Sequence, residues 1–451
     1  MKKEQQILLT EGPILKSLTK LAVPIMASSF LSTLYNITDM AWIGLLGAKA
    51  VAGVGTAGMY LWLSNGLASL ARMGGQVYMA QCIGQKDTQK AGKYAHAAIW
   101  LSIFLGVLYS LVCLIFTDQL IAFFKLGDAE TINDAVVYMK ITCGFILFSY
   151  INTTLTGLYT AQGDSQTPFI ANFFGLMINM LFDPVLILGV GPFPELKVAG
   201  AAVATVSAQI VTTLILLNGI RRSSNEQNLL KRVRLWKRPE FSYVKEVYKL
   251  GFPTALQGMI YCGISMILTR MISGFGAEAV ATQKVGGQIE SVTWNAADGF
   301  AAALNAFIAQ NYGARKMDRV KKSYTISFRT MAGWGAFIMM LFLLFPRQIA
   351  EIFFHEEKAI VTAVGYLVIV GLSEAFMCVE LMTAGALSGL GKTTVSSAIS
   401  ISLTALRIPL AMLLYQTELG VEGIWWALTI TSVLKGIAFY IAFKYYSNKL
   451  K

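Results

Sequence analysis

Charged residues are scarce in this sequence. Asp, Glu, Lys and Arg make up 14% of its 451 residues, and hydrophobic residues make up 55%. Soluble domains carry about 25% charged residues. A single soluble core stops growing at about 250–300 residues, so one enlarged core cannot explain the shortage of charge. The composition therefore excludes an ordinary soluble protein and favours a chain that lies in a membrane.

Residues that commonly bind metals or perform catalysis are also few. The chain has two histidines, His96 and His355, and five cysteines without a CxxC pair. The cysteines lie mostly in apolar runs, and we interpret them as small hydrophobic residues. The sequence contains no Walker A loop, GxSxG or HExxH motif. It thus gives no sign of an ATP-driven pump or of an enzyme of the soluble type.

The sequence does contain long apolar runs, each long enough to cross a hydrocarbon core as a helix. We predict twelve transmembrane helices, at residues 17–42, 52–81, 94–117, 136–160, 168–190, 198–219, 250–273, 281–311, 325–346, 361–388, 394–415 and 422–445. The predicted fold class is therefore an all-α integral membrane protein.

Lys and Arg gather in alternate connections between these predicted helices. Three lysines separate helices 2 and 3, nine basic residues separate helices 6 and 7, and five separate helices 8 and 9. The positive-inside rule places such connections, and with them both termini, in the cytoplasm. We therefore interpret the net charge of +12 as a topology signal. The expected location is a bacterial inner membrane. We expect membrane lipid, and no nucleic acid, as a partner.

An internal repeat relates the two halves of the chain. The segment Gly47–Ala52 recurs as Gly276–Ala281, a shift of 229 residues, and Pro24 falls on Pro253 at the same shift. Six predicted helices separate the copies, so both halves should have the same orientation in the membrane. Parallel repeats of this kind, related by an axis along the membrane normal, are a known transporter design.

The repeat predicts three parts of the chain. We expect an N-lobe at residues 1–220 with helices 1–6, a basic cytoplasmic linker at 221–249, and a C-lobe at 250–451 with helices 7–12. Two six-helix lobes related by pseudo-two-fold symmetry favour a central cavity and alternating access.

Several short motifs follow one another in a fixed order along the chain. They are Leu21-Ala-Val-Pro24, Asp39 with Trp42-Ile-Gly44, Gln81-x-x-Gly84, Gly163-Asp164, Asn179-x-x-x-Asp183-Pro184 and Gly200-Ala-Ala-Val-Ala-Thr205. This ordered set resembles the MATE (multidrug and toxic compound extrusion) family, and aspartate at position 183 resembles its DinF-like branch. The resemblance implies secondary active efflux of organic cations and other amphipathic compounds, coupled to H+ or Na+ and without a cofactor.

The resemblance also implies an ion site inside the N-lobe. Carried over residue by residue, the site comprises Asp39, Asn179, Asp183, Thr205 and Asn152. The first four would be metal ligands if the coupling ion is Na+. Some family members have a second acidic site in the C-lobe. Tyr261 and Met377 occupy its approximate positions here, which implies that this second site is absent.

The residue types at the predicted ion site suit either ion. An aspartate inside a spanning helix costs about 2.5–3.5 kcal/mol on insertion scales, so we interpret Asp39 as functional. Asn179 and Asp183 share one helix face because they are four residues apart. Pro184 removes a backbone hydrogen bond and is expected to kink this helix. Carboxylate, amide and hydroxyl oxygens can bind a hard cation, and two carboxylates can share one proton.

A second polar group is predicted to face the substrate. Glu290, Trp294 and Asp298 lie four residues apart on one face of predicted helix 8. Two acids around an indole would suit a cationic aromatic compound. The alternative is a structural role, in which these acids pair with Lys284 or another buried base or lie near a helix end. Asn36, one turn before Asp39, is also assigned to the predicted cavity.

Three further charged residues lie inside predicted helices 10 and 11. They are Glu374, Glu380 and Arg407, and an internal ion pair among them is the simplest interpretation.

Two other functions are alternatives to efflux by antiport with H+ or Na+. A lipid-linked precursor flippase of the same superfamily would need a cationic cavity for a pyrophosphate, whereas the candidate central residues here are mainly acidic. A membrane-embedded enzyme would need a convergent catalytic set. We therefore favour a cation-coupled exporter of small molecules, acting as a monomer.

Overall fold

Helices form almost all of the structure. The computed structural model describes residues 9–189, 194–223, 228–233, 236–354 and 356–449. Within these ranges no residue lies in a β-strand. His355 and Arg234, one of the basic residues of the predicted linker, lie outside the described residues.

The described residues of the first half of the chain form eight α-helices. They are α1 (Ile14–Gly44), α2 (Ala48–Gly84), α3 (Thr88–Ile115), α4 (Thr117–Ala122), α5 (Ala129–Gly144), α6 (Ile146–Ala161), α7 (Gln166–Leu188) and α8 (Lys197–Arg222). A short 3-10 helix at Leu229–Arg232 follows.

Nine further α-helices lie in the part of the second half that the structure describes. They are α9 (Phe241–Ser273), α10 (Ala277–Gly313), α11 (Met317–Leu344), α12 (Pro346–Phe353), α13 (Glu357–Gly371), α14 (Glu374–Gly389), α15 (Thr393–Ala405), α16 (Arg407–Leu414) and α17 (Val421–Asn448).

The helices agree with the predicted membrane spans. Across the described ranges, eight helices are long and apolar enough to cross a membrane, counting α15 with α16 as one. The pairs α5–α6 and α13–α14, each bent by 48°, raise the number to ten. The other two predicted segments correspond to α2 and α10, each 37 residues long and interrupted by polar side chains. The prediction of an all-α membrane fold is confirmed, but the two bends were not predicted.

The internal repeat is also visible in the helices. The bounds of α2 and α10 differ by 229 residues at both ends, and so do those of α3 and α11. The residues that precede α2 and α10, Gly47 and Gly276, have φ values of 107° and 103°. Glycine suits both positions because a Cβ atom disfavours such angles. The prediction of two repeated lobes is confirmed.

The described chain divides into two compact units. Unit 1 contains Ala27–Ala255, whereas unit 2 contains Leu9–Met26 and the described residues from Leu256 onward. The start of α1 therefore belongs to unit 2, and the start of α9 belongs to unit 1. The predicted lobe boundaries, drawn between helices, do not include this exchange, and they stay a prediction.

The start of α9 packs closely against α2 within unit 1. A Cβ atom added at Gly251 would lie 1.9 Å from the carbonyl oxygen of Leu70. One added at Gly74 would lie 2.2 Å from the carbonyl oxygen of Val247. Small residues allow helix backbones to approach in membranes, where dispersion contacts are a main source of helix association. The two glycines thus fix the start of α9 to unit 1.

We expect Gly251→Ala to destabilise the protein, because the new methyl group overlaps backbone atoms that cannot move aside. Overpacking of this kind typically costs about 1–3 kcal/mol. Thermal unfolding of the purified protein in detergent measures the effect. Gly263→Ala, also in α9, is the matched control, since a Cβ there meets no atom within 4 Å. Equal unfolding temperatures for the two variants would contradict the proposed role of the contact.

Candidate functional site

A polar cavity of about 420 Å³ lies inside unit 1, between α1, α2, α6, α7 and α8. It is lined by Ser32, Tyr35, Asn36, Asn65, Arg72, Ser149, Asn152, Thr153, Thr156, Asn172, Gly175, Leu176, Asn179, Thr205, Ala208, Gln209 and Thr212. The spacing of these residues explains the lining. Each helix carries its polar side chains three, four or seven residues apart and so presents one polar face.

Two buried carboxyl groups lie beside this cavity. Asp39 of α1 is 7% exposed and Asp183 of α7 is fully buried. Their carboxyl groups lie within hydrogen-bonding range of each other. Asn179 donates from Nδ2 to Oδ1 of Asp183 at 3.4 Å. Oδ1 of Asp39 and Oδ2 of Asp183 receive no hydrogen bond from a described protein donor. Buried oxygens left in this state are costly, and a proton or a cation would satisfy them.

Tyrosine and threonine hydroxyls complete the surroundings of the carboxyl pair. The hydroxyl oxygens of Tyr35 and Thr205 are 3.2 Å apart. Tyr138 of α5 also lies close to Thr205 and within electrostatic range of Asp39 and Asp183. Neither tyrosine was predicted from the sequence. Tyr35 could have been found, since it lies one helical turn before Asp39, but no local signal distinguishes Tyr138.

Asn152 lines the same cavity but bonds α8 instead of the carboxyl pair. Its Nδ2 donates to the carbonyl oxygen of Gln209 at 2.9 Å, and its Oδ1 accepts from Thr213 at 2.7 Å. The other predicted N-lobe residues, Asn36, Asn179 and Thr205, also line the cavity. The structure thus places the predicted residues in one region.

Pro184 lies inside α7, directly after Asp183, and the helix continues to Leu188. The proline has no N–H group, so the carbonyl oxygen one turn earlier, at Met180, lacks its usual helical donor. This carbonyl is a further hydrogen-bond acceptor, and it belongs to a residue three positions before Asp183.

Unit 2 contains a separate acidic group. The Tyr366 hydroxyl donates to Oε1 of Glu290. Trp294, on the same face of α10, is 46% exposed. Glu374 is 1% exposed, lies within electrostatic range of Glu290, and begins α14 at the bend. Asp298 lies two turns after Glu290 on α10, as predicted from its spacing.

An internal ion pair is present at Glu380, but its partner is not Arg407. Glu380 instead pairs with Lys435 of α17 at 2.8 Å, and both side chains are almost fully buried. Arg407 donates to the hydroxyl oxygens of Thr431 at 3.0 Å and Ser432 at 3.1 Å. Lys435 was not predicted from the sequence, although a lysine within a long apolar segment was an available signal.

Comparison with known proteins identifies the family. The sequence profile of the MatE family matches residues 24–185 and 253–413, one copy in each half. A probable multidrug resistance protein NorM of Thermotoga maritima is 28% identical over 422 residues, which cover 91% of this chain and 88% of that protein. The FAD transporter of Shewanella oneidensis is 25% identical over 443 residues, or 96% and 95% of the two chains.

Solved structures show the same fold. A MATE protein crystallised in complex with MaD3S has a TM-score of 0.91 at 22% identity, and the match covers 100% of this chain and 99% of that one. The family profile spans most of both halves of the sequence. This chain therefore belongs to the MatE family of multidrug efflux transporters, which are transporters and not enzymes.

Proposed function

We propose that this protein exports small molecules across the bacterial cytoplasmic membrane in exchange for H+ or Na+, and that Asp39 and Asp183 bind the coupling ion. The observation that carries the proposal is that two buried carboxyl groups lie close together and that each has one oxygen atom without a described protein donor. Their place beside a polar cavity, in a family of multidrug efflux transporters, supports a role in transport.

Two carboxylates in contact cannot both stay ionised in a low-dielectric interior without a compensating charge. One shared proton removes the repulsion. A Na+ ion would do the same, with oxygen atoms of Asp39, Asp183, Asn179 and Thr205 as its ligands. Both modes couple the ion to the conformation of unit 1, since only a state that keeps the carboxyl groups together gains this stabilisation. Pro184 provides a point at which α7 can bend between such states.

We propose organic cations and amphipathic compounds as substrates. Glu290, Trp294 and Asp298 would receive them in unit 2, where an exposed indole can stack on a cation beside two carboxyl groups. Both termini and the 221–249 linker would lie in the cytoplasm, next to anionic lipid. Residues 224–227, 234 and 235 of this linker lie outside the described part. We further propose that the protein functions as a monomer.

Glu290→Gln is expected to reduce export of a cationic aromatic dye several-fold more than export of a neutral amphipathic compound, because it removes one negative charge beside Trp294. Dye export from cells and inverted vesicles measures the ratio. Glu351→Gln, which removes an exposed acid paired with Arg347, is the control. An unchanged ratio would favour a structural role for Glu290, through its bond to Tyr366.

The proposed function is tested with inverted membrane vesicles that contain the protein. H+ and Na+ gradients are imposed separately, and uptake of ethidium is compared with that of vesicles lacking the protein. We expect one of the two gradients to drive accumulation and its collapse to release the dye. Failure of both gradients, with the protein present in the membrane, would overturn the proposal.

A further inference from the structure

Arg72 of α2 is the only charged side chain among the described residues that line the unit 1 cavity. Its Nε atom is buried and has no hydrogen-bond partner among the described residues. None of the ion pairs found in the described ranges includes Arg72. A cationic group thus faces a polar cavity without a carboxylate partner.

Arg72 lies inside α2 and packs against α6. It lies twelve residues before the end of α2, inside a helix of 37 residues. Charged groups at membrane depth are rare and commonly mark substrate pathways, because the surrounding lipid cannot solvate them. A Cβ atom added at Gly157 of α6 would lie 2.6 Å from Cγ of Arg72. Glycine at this position leaves room for the aliphatic part of the Arg72 side chain. The side chain is therefore held between α2 and α6.

The remaining lining supplies neutral hydrogen-bonding groups. Oδ1 of Asn179 and Oε1 of Gln209 are buried acceptors without a described protein donor. Hydroxyl groups of Thr153 and Thr156 lie on the same cavity wall. A ligand that brings an anionic group to Arg72 and O–H or N–H groups to the amides would satisfy all three unpaired atoms. A cationic ligand would instead meet an uncompensated positive charge.

We propose that the unit 1 cavity binds organic anions, and that Arg72 is the counter-ion for their carboxylate or phosphate group. A guanidinium group suits both anions because it can donate two parallel hydrogen bonds. The cavity volume of about 420 Å³ is within the usual range for small-molecule sites. This inference rests on the proposed export function and widens its substrate class from cations to anions that carry hydrogen-bond donors.

Flavin mononucleotide and riboflavin are matched probes, because they share a fluorescent ring and a hydroxylated chain and differ by one phosphate group. Their binding to the purified full-length protein is measured by fluorescence anisotropy. We expect the wild-type protein to bind the phosphate form about tenfold more tightly, as a charged hydrogen-bonded contact would give. Arg72→Gln should bring the affinity ratio close to one, and Arg72→Lys should keep most of it.

Further measurements separate an anion site at Arg72 from a general effect of positive charge and from misfolding. Arg329→Gln, at an exposed arginine of α11, is the control for loss of a positive charge and should leave the ratio unchanged. Competition by benzoate or by inorganic phosphate shows which anion the arginine accepts, and competition by either one supports the proposal. Size-exclusion chromatography and thermal unfolding check that each variant is folded.

Equal affinity of the wild-type protein for the two flavins, or a preference that survives Arg72→Gln, would overturn the inference. The proposed export function is judged separately by gradient-driven ethidium uptake. Normal ethidium uptake without a flavin preference would overturn only the anion site, whereas a flavin preference without any gradient-driven transport would overturn only the export function.

Discussion

Asp39→Asn and Asp183→Asn are each expected to reduce gradient-driven export to the level of vesicles that lack the protein. Asparagine keeps the size of the side chain but cannot carry the negative charge that attracts the coupling ion. The remaining carboxyl group would lose its acidic partner, so a shared proton would no longer be needed to hold the two groups together. A bound Na+ would lose one charged oxygen ligand. In both cases the ion would stop favouring one conformation of unit 1 over another.

The double variant is expected to be no worse than either single one, because both groups contribute to a single binding event. Initial rates of ethidium uptake into inverted vesicles, normalised to the amount of inserted protein, measure the loss. Asp118→Asn removes an exposed acid at the start of α4 and is the control. Full gradient-driven uptake by the double variant would refute the proposed ion site and direct attention to Glu374.

Lys435→Met is expected to cause the largest loss of stability, about 3–5 kcal/mol, because it leaves the carboxyl group of Glu380 buried without its partner. The two side chains are 2.8 Å apart and only 6% and 9% exposed, so water cannot replace the lost ammonium group. A second change, Glu380→Leu, should recover most of the loss, since an apolar pair of similar volume has no charge to desolvate.

Thermal and denaturant unfolding in detergent measure these differences. Lys49→Met is the matched control. Lys49 contacts Asp128 and Glu130 at 3.2 Å each, but these pairs are exposed, and exposed pairs contribute little to stability. A loss for Lys435→Met no greater than for Lys49→Met would show that the buried pair is not a stabilising element. Failure of Glu380→Leu to rescue Lys435→Met would show that the lysine acts through packing instead of charge.

The positions of the helices could be predicted well because a membrane span needs a long apolar run. The predicted segment 168–190, for example, corresponds to α7 at Gln166–Leu188. The bends at α5–α6 and α13–α14 were not predicted, because Gly144 and Gly371, which end α5 and α13, do not by themselves distinguish a bend from a continuous helix. The start of α1 belongs to unit 2 and the start of α9 to unit 1 because of contacts between residues distant in sequence. A hydropathy pattern gives no information about such contacts.

The candidate site was predicted where acidic residues lie inside apolar segments. Asp39 and Asp183 differ in chemistry from their neighbours, and the spacing of Asn179 places it on the same face as Asp183. Tyr35 and Tyr138 were not predicted because tyrosine is common in membrane helices, so its residue type does not distinguish a site residue from a packing residue. Arg72 was missed because α2 carries several polar residues, so one more did not stand out before the cavity was known.

The exchanged helix starts have an evolutionary consequence. Each unit is completed by a segment that belongs to the other repeat, and the two crossing points, after Met26 and after Ala255, correspond under the shift of 229 residues. A single repeat with this architecture would lack the opening part of its own first helix. An ancestor of half the present length would therefore have needed a second copy to supply that segment, as in a domain-swapped homodimer. Gene duplication and fusion would then have turned an exchange between two molecules into one within a single chain.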